Sequence, residues 1–289
     1  MNFFLFHFSK GTLYNSIGYV YNMNYKRLSD WNSGFHDWVI YRHPSEHNRQ
    51  NGFLGGFIYG HKGNGKSMYC YKVMAKVYYT LNGYSTIDEE DDAYREALDN
   101  MFMDGDLFID LIVKNRIKQK VTPIICLDDA SRHFGTQMYK HNPSLYDAMA
   151  GEMAVARDVV TGFLINAPKR GMCAKFLREN DDYKGEALCV SGSKWVRKIR
   201  FYEFREYPDE RKYKIQIPFQ DKYSCFVPDK YFNWYLEKRR YYNIKQDILL
   251  ADRFKPKNRD IIIALYDEDK SRIPREFHSF IKKWEKEKK

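Results

Sequence analysis

Eight residues, Gly60-His61-Lys62-Gly63-Asn64-Gly65-Lys66-Ser67, constrain this chain more than any other stretch. They keep the spacing G-x-x-x-x-G-K-[ST]. In that pattern glycines let successive backbone N–H groups turn inward on a single phosphate oxygen cluster. Lys66 is placed to neutralise the outer phosphates, and Ser67 to offer its hydroxyl to Mg2+. The pattern requires a strand before it and a helix after it, whose positive dipole end faces the phosphates. Phe53–Tyr59 is a short apolar run, the mark of a buried strand. Cys70, Met74, Val77 and Leu81 then recur at helical spacing and predict an apolar helix face. A glycine-rich surface turn that merely precedes Lys-Ser would have neither flank.

A second motif follows about sixty residues on, by count along the sequence. Thr122 to Leu127 is an apolar run that ends in Asp128 and Asp129, with Pro123 near its first position. Buried parallel strands have this composition, and a proline fits at a strand start. Acids at the carboxyl end of such a strand face the ligand crevice. Asp128 is then the candidate metal ligand and Asp129 the candidate general base. A third run, Asp158 to Ile165, predicts another buried strand that ends in Asn166. An amide there donates and accepts at once, which suits orienting a water. The other reading of Asn166 is the start of an Asn-Ala-Pro turn.

On these residues the chain resembles the additional-strand, catalytic-acid (ASCE) division of P-loop NTPases, which includes AAA+, RecA-like and packaging-motor ATPases. The resemblance covers residues 52–82 and 121–170. It implies an α/β fold, a three-layer P-loop NTPase with a mostly parallel sheet. It implies ATP and Mg2+ as ligands, Ser67 and Asp128 on the metal, and Asp129 and Asn166 at the hydrolysis step. The usual second acid is Glu. The Asp-Asp pair is similar to that of replication-initiator and helicase-loader ATPases, and its shorter side chain stands further from the water. An arginine finger is also implied. Arg132, Arg157, Arg170 and Arg178 are candidates, with Arg170 just past the third strand, near the edge of the crevice.

Between the first two motifs, Asp88 to Asp92 opens a predicted helix with acids at its positive end. Leu107–Lys118 predicts a second helix, and Tyr84–Ile87 the one strand in this interval. Ser144–Ala156 predicts a helix before the third strand. In the carboxyl third, Leu188–Val190 and Trp195–Val196 predict short strands. Ile199–Tyr207 and Tyr213–Pro218 predict a hairpin. This region carries Lys194, Arg197, Lys198, Arg200, Arg211 and Lys212 among aromatics, a composition that suits a nucleic-acid groove or, equally, a solvated basic hairpin. Asp229 begins a predicted helix, Pro256–Arg259 a linker, and Phe277, Phe280, Ile281 and Trp284 one face of a final amphipathic helix.

The domain reading is therefore a lead segment over 1–50, an ATPase core over 51–192, a basic β-hairpin and helix over 193–255, and a linker with a C-terminal helix over 256–289. A formal net charge of +10 favours a polyanionic partner. Five cysteines without C-x-x-C spacing point to a reducing compartment and away from a zinc site. His43 and His47 lack a second ligand pair and are expected at the surface. The apolar N-terminus, Met1 to Phe8, falls far short of the ~20 residues that span a bilayer. The expectation is a protein without a membrane span in the cytoplasm, the host's if the chain is viral, with Met23 as an alternative start. The function expected is ATP hydrolysis in a DNA transaction: replication initiation or loading, translocation, or packaging, in a virus or plasmid. Partners expected are DNA, further copies in a ring, and a replication or packaging protein. A small-molecule P-loop kinase and a nucleotide-binding regulator with little hydrolysis are the alternatives. An Asn-Lys-x-Asp guanine signature is missing from the sequence.

Overall fold

The apolar run before the glycine loop forms β1 (Leu54–Tyr59), hydrogen-bonded along both edges to parallel neighbours, so it sits mid-sheet. The computed structural model describes residues 27–45, 52–136, 140, 142–179, 182–207, 212–216, 219–253 and 256–288. Around β1 stand β2 (Met101–Phe102), β3 (Thr122–Leu127), β4 (Val160–Asn166), β5 (Tyr183–Cys189), β6 (Val196–Tyr207), β7 (Lys212–Gln216) and β8 (Gln220–Ser224). The order is β2-β3-β4-β1-β5-β6-β7, with β8 also paired to β6. From β2 to β5 every pair is parallel; β6, β7 and β8 are antiparallel. The expected three-layer α/β fold with a mostly parallel sheet is what the chain adopts.

Helices cover both faces. On one, Phe57, Ile125, Leu127, Phe163 and Ile165 pack with Phe108 and Ile112 of α4 (Gly105–Lys118), Met149 and Met153 of α6 (Pro143–Val155), and Leu177 of α7 (Lys175–Glu179). On the other lie α1 (Gly34–Arg42), α2 (Lys66–Leu81) and α3 (Ile87–Asp99). Gly56 and Gly162 make room for α1. A Cβ at Gly56 would lie 2.5 Å from the Phe35 ring, and one at Gly162 2.9 Å from Val39. Part of the predicted lead segment is thus core: Phe35 and Val39 are fully buried. The apolar face predicted for α2 is there, with Cys70, Met74 and Val77 buried, but the burial goes further round the helix and takes in Tyr69, Tyr71, Val73 and Lys72.

Tyr84–Ile87 is not a strand. Thr86 caps α3: its hydroxyl accepts from Glu89 N–H while the Glu89 carboxylate takes the Thr86 N–H, and this reciprocal pair commits the segment to a helix start. The strand of this interval is β2, two residues long. The predicted hairpin exists as β6 and β7, paired from Glu203↔Gln216 to Tyr207↔Lys212. Its turn and Arg211 lie outside the described residues, as do Met23 and His47.

The chain divides into two compact units, residues 1–228 and 229–289. The boundary drawn at 192/193 falls between two paired strands, β5 and β6. In the second unit α8 (Asp229–Arg253), α9 (Pro256–Glu268) and α10 (His278–Lys288) share a core of Ile248, Ala251, Tyr266, Ile273, Phe277, Ile281 and Trp284. Pro256 opens a helix rather than a linker, since a first-turn proline loses no intrahelical bond. Of the four residues predicted on one face of the final helix, Phe277 falls in the turn just before α10 and is buried, as are Ile281 and Trp284 in α10; Phe280 is exposed. No helix among the described residues is long and apolar enough to cross a membrane.

Candidate functional site

The glycine loop runs from the end of β1 into α2. Gly60, Gly63 and Gly65 have φ of 139°, 85° and 74°, a region that favours glycine at each. Gly60 is also pressed on β5, where a Cβ would meet the Ala187 carbonyl at 2.8 Å. Lys66 folds back across the loop, and its Nζ donates to the carbonyls of Gly60 and His61 at 3.0 Å each. Ser67 follows in the first turn of α2, partly exposed, and His61, Lys62 and Gly63 form the exposed tip. Asn64 anchors the loop: its Nδ2 donates to the Ala187 carbonyl (2.8 Å), and its own carbonyl accepts from Tyr223 OH (2.9 Å).

The parallel register brings the acids alongside. Ile58 pairs with Asn166, and Leu127 with Ile165, so the carboxyl ends of β1, β4 and β3 lie in a row. Asp128 is fully buried and Asp129 only partly. Asn166 stitches them together. Its Nδ2 donates to Asp128 Oδ1, and its Oδ1 accepts the Asp129 N–H at 3.2 Å. Its amide is thus committed to the acids rather than held open for a water. Asp129 has φ 49° and begins α5 (Ala130–His133), so its carboxylate leaves the strand direction at a turn that Asp tolerates. Arg170, in the turn Arg170–Met172, donates to the Arg178 carbonyl. Its guanidinium is therefore engaged on the chain's own α7.

The basic residues of the hairpin do not form one patch. Strand alternation puts Arg197 on the face of Ile199 and Phe201, which are fully buried, Phe201 against Phe35. There Arg197 pairs across with Cys189 and Tyr223, and both of those contact Asn64. Arg197 Nη1 donates to the Val196 carbonyl at 2.9 Å, while its Nε is buried without a hydrogen bond among the described residues. Lys198 and Arg200 occupy the opposite face, across from Lys222 and Gln220 of β8. Lys194 stands at the β5–β6 turn with its Nζ 5.1 Å over the Trp195 ring. Tyr223, Cys225 and Lys222 all bear on the loop or the basic face and escaped the sequence reading, because β8 has no apolar run. Among the described residues no group of three His, Cys, Asp or Glu is placed to hold a metal ion.

In this sheet β4 lies between the loop strand β1 and the acid strand β3. No family model matches the chain. It is 26% identical over 233 residues to the uncharacterized protein B-251 of Sulfolobus spindle-shape virus 1, covering 78% of this chain and 87% of that protein. Among solved structures it is similar to the N-terminal domain of zonular occludens toxin from Neisseria meningitidis, at 12% identity and a TM-score of 0.37, over 63% of this chain and 97% of that one. It is also similar to a KaiC-like protein of Pyrococcus horikoshii, at 10% identity and a TM-score of 0.30, over 58% of this chain and 90% of that one.

Proposed function

We propose that this chain, whose fold is that of the P-loop NTPases of the additional-strand, catalytic-acid type, binds ATP with Mg2+ and hydrolyses it in work on DNA. The observation that carries the reading is the Asn166 amide, which ties Asp128 and Asp129 into one unit beside the loop strand. A strand that merely ended in a solvated turn would need no such tie.

The roles follow from placement. The backbone of residues 60–65 cradles the phosphates, and Lys66 exchanges two loop carbonyls for phosphate oxygens. Ser67 and Asp128 supply the hydroxyl and carboxylate oxygens that suit Mg2+, a hard cation that prefers oxygen ligands. That ion would offset charge on the β- and γ-phosphates. Asp129, the more exposed acid, takes the proton of the attacking water. Asn166 fixes both acids. Arg170 would have to leave the Arg178 carbonyl to reach a phosphate. A ring of copies, with an arginine reaching a neighbour's site, is the assembly that fits this.

The DNA part rests on the face of Lys198, Arg200 and Lys222. Lys198 stands directly opposite Lys222, and like charges so placed destabilise a sheet unless an anion lies over them. The likeness to a viral protein supports a viral setting, hence a host cytoplasm.

ATP turnover measured with single-stranded, duplex and no DNA is the test. DNA should stimulate it. Asp129→Asn should lower turnover by roughly 10²–10⁴ while ATP still binds. Full turnover by Lys66→Ala would remove the site, and turnover indifferent to DNA would remove the DNA role.

A further inference from the structure

Resting on that reading, a bound nucleotide has a second end to place. Asp128, Asp129 and Asn166 mark the β3–β4 flank of the loop as the side of the terminal phosphate. The base must leave by the other flank, over β5, β6 and β8. On that side Gly65, the last glycine before Lys66, touches Cys225: a Cβ on Gly65 would lie 2.7 Å from the Cys225 Cβ. The Cys225 N–H donates to the Trp195 carbonyl at 2.9 Å. Phe226, the next residue, packs edge-on against Trp195, with centroids 5.9 Å apart and planes at 76°. Trp195 nonetheless remains 37% exposed, and Phe226 is only partly buried. An indole and a phenyl ring therefore flank Cys225, the residue whose side chain abuts the end of the glycine loop.

We propose that Trp195 and Phe226 form the site for the base of the nucleotide, with the planar heterocycle stacked on the indole and bounded by the Phe226 edge. The chemistry fits. A purine is a flat, weakly polar ring attached to a charged tail, and this place offers an aromatic surface next to a phosphate loop. Lys194 holds its ammonium 5.1 Å from the indole centroid, so a stacked base has to displace it. A stacked base would occupy that face and move the ammonium towards its sugar or phosphates. The same aromatics could instead stack a base of single-stranded DNA, and the experiment tells these apart.

The full chain is titrated by calorimetry with ATP, inorganic tripolyphosphate and a thymidine oligomer. Wild type should bind ATP and tripolyphosphate, and Lys66→Ala should weaken both. Trp195→Ala should weaken ATP at least about tenfold, the worth of one base–aromatic stack, and leave tripolyphosphate unchanged. Phe226→Leu, which keeps an apolar side chain of smaller face, should weaken ATP less than Trp195→Ala does. ATP affinity untouched by Trp195→Ala, or ATP and tripolyphosphate weakened equally, overturns the base site while the phosphate site stands. Loss of oligomer binding with ATP unchanged reassigns the aromatics to DNA and also overturns it. If wild type binds neither phosphate ligand, the nucleotide reading falls and the base site with it.

Discussion

Lys72 lies on α2 six residues after Lys66, is 1% exposed, and donates to the Ser224 carbonyl at 3.2 Å beneath the Trp31 ring. Burial is the main force on it and pulls the ammonium from 10.5 down to about 8, against smaller opposing pulls from Cys225 and Glu90. The unfolded chain therefore holds a proton on Lys72 between about pH 8 and 10.5 that the folded chain has released. Stability from this group rises with pH across that window; below it, the buried charge is a fixed cost. Replacing Lys72 with Met removes the titration but keeps the stem. Denaturant unfolding of wild type and Lys72→Met at pH 7.5 and 9.5 should show wild type gaining about 2 kcal/mol on the variant. Tyrosines that burial pushes upward are common to both proteins and cancel in the difference. An equal gap at the two pH values would mean that Lys72 is solvated, against its burial here.

Among elements, β8 ties together α1, α2 and the glycine loop. Asp221 accepts from Ser33 Oγ, Gly34 N–H and Tyr69 OH, which ties the strand to the start of α1 and to α2. Tyr223 reaches the loop at Asn64, and the Ser224 carbonyl takes Lys72. The alternate residues, Gln220 and Lys222, are exposed on the basic face. One strand thus has Tyr223 on the glycine loop and its outward residues on the face proposed for DNA. Tyr223→Phe deletes one hydrogen bond and little volume. It should cost about 1 kcal/mol of stability and lower ATP affinity several-fold, read by unfolding and by ATP titration. A stability loss with unchanged affinity would make the tie to Asn64 purely structural. This element was also the least legible. Its inward residues are Asp and Tyr, so no apolar alternation announces a strand. The glycine loop, β3 and β4 were legible because their chemistry is local: positive φ needs glycine at fixed spacing, and a strand buried on both faces must be continuously apolar. β2 is too short for any period, and Thr86 shows a capping box overriding a nearby β-like composition. Which of Arg197 and Lys198 faces the loop depends on register, which appears only when the strands pair.

At the scale of the whole molecule, a net charge of +10 draws any polyanion, so affinity alone says little about where DNA lies. The fold divides the charge more finely. Strand parity sends Arg197 towards the loop and leaves Lys198, Arg200 and Lys222 together on the other face of β6 and β8. If that face meets phosphates, three contacts belong to it, and each carries a counterion that binding releases. Changing all three residues to Gln should then flatten the plot of log affinity against log salt by about 2 for single-stranded DNA, at roughly 0.7 per phosphate contact. Changing Arg197 to Gln should leave that slope alone and act on nucleotide binding instead. The full chain, titrated with a fluorescent oligomer from 50 to 300 mM salt (roughly the span over which such slopes resolve), gives both answers. A slope unmoved by the triple change would place DNA elsewhere on the molecule, whereas a slope moved equally by Arg197→Gln would mean that charge, and not the face it sits on, governs the contact. The first outcome would leave the ATP site standing without this surface, because the loop, the two acids and Asn166 owe nothing to the outward residues of β6 and β8.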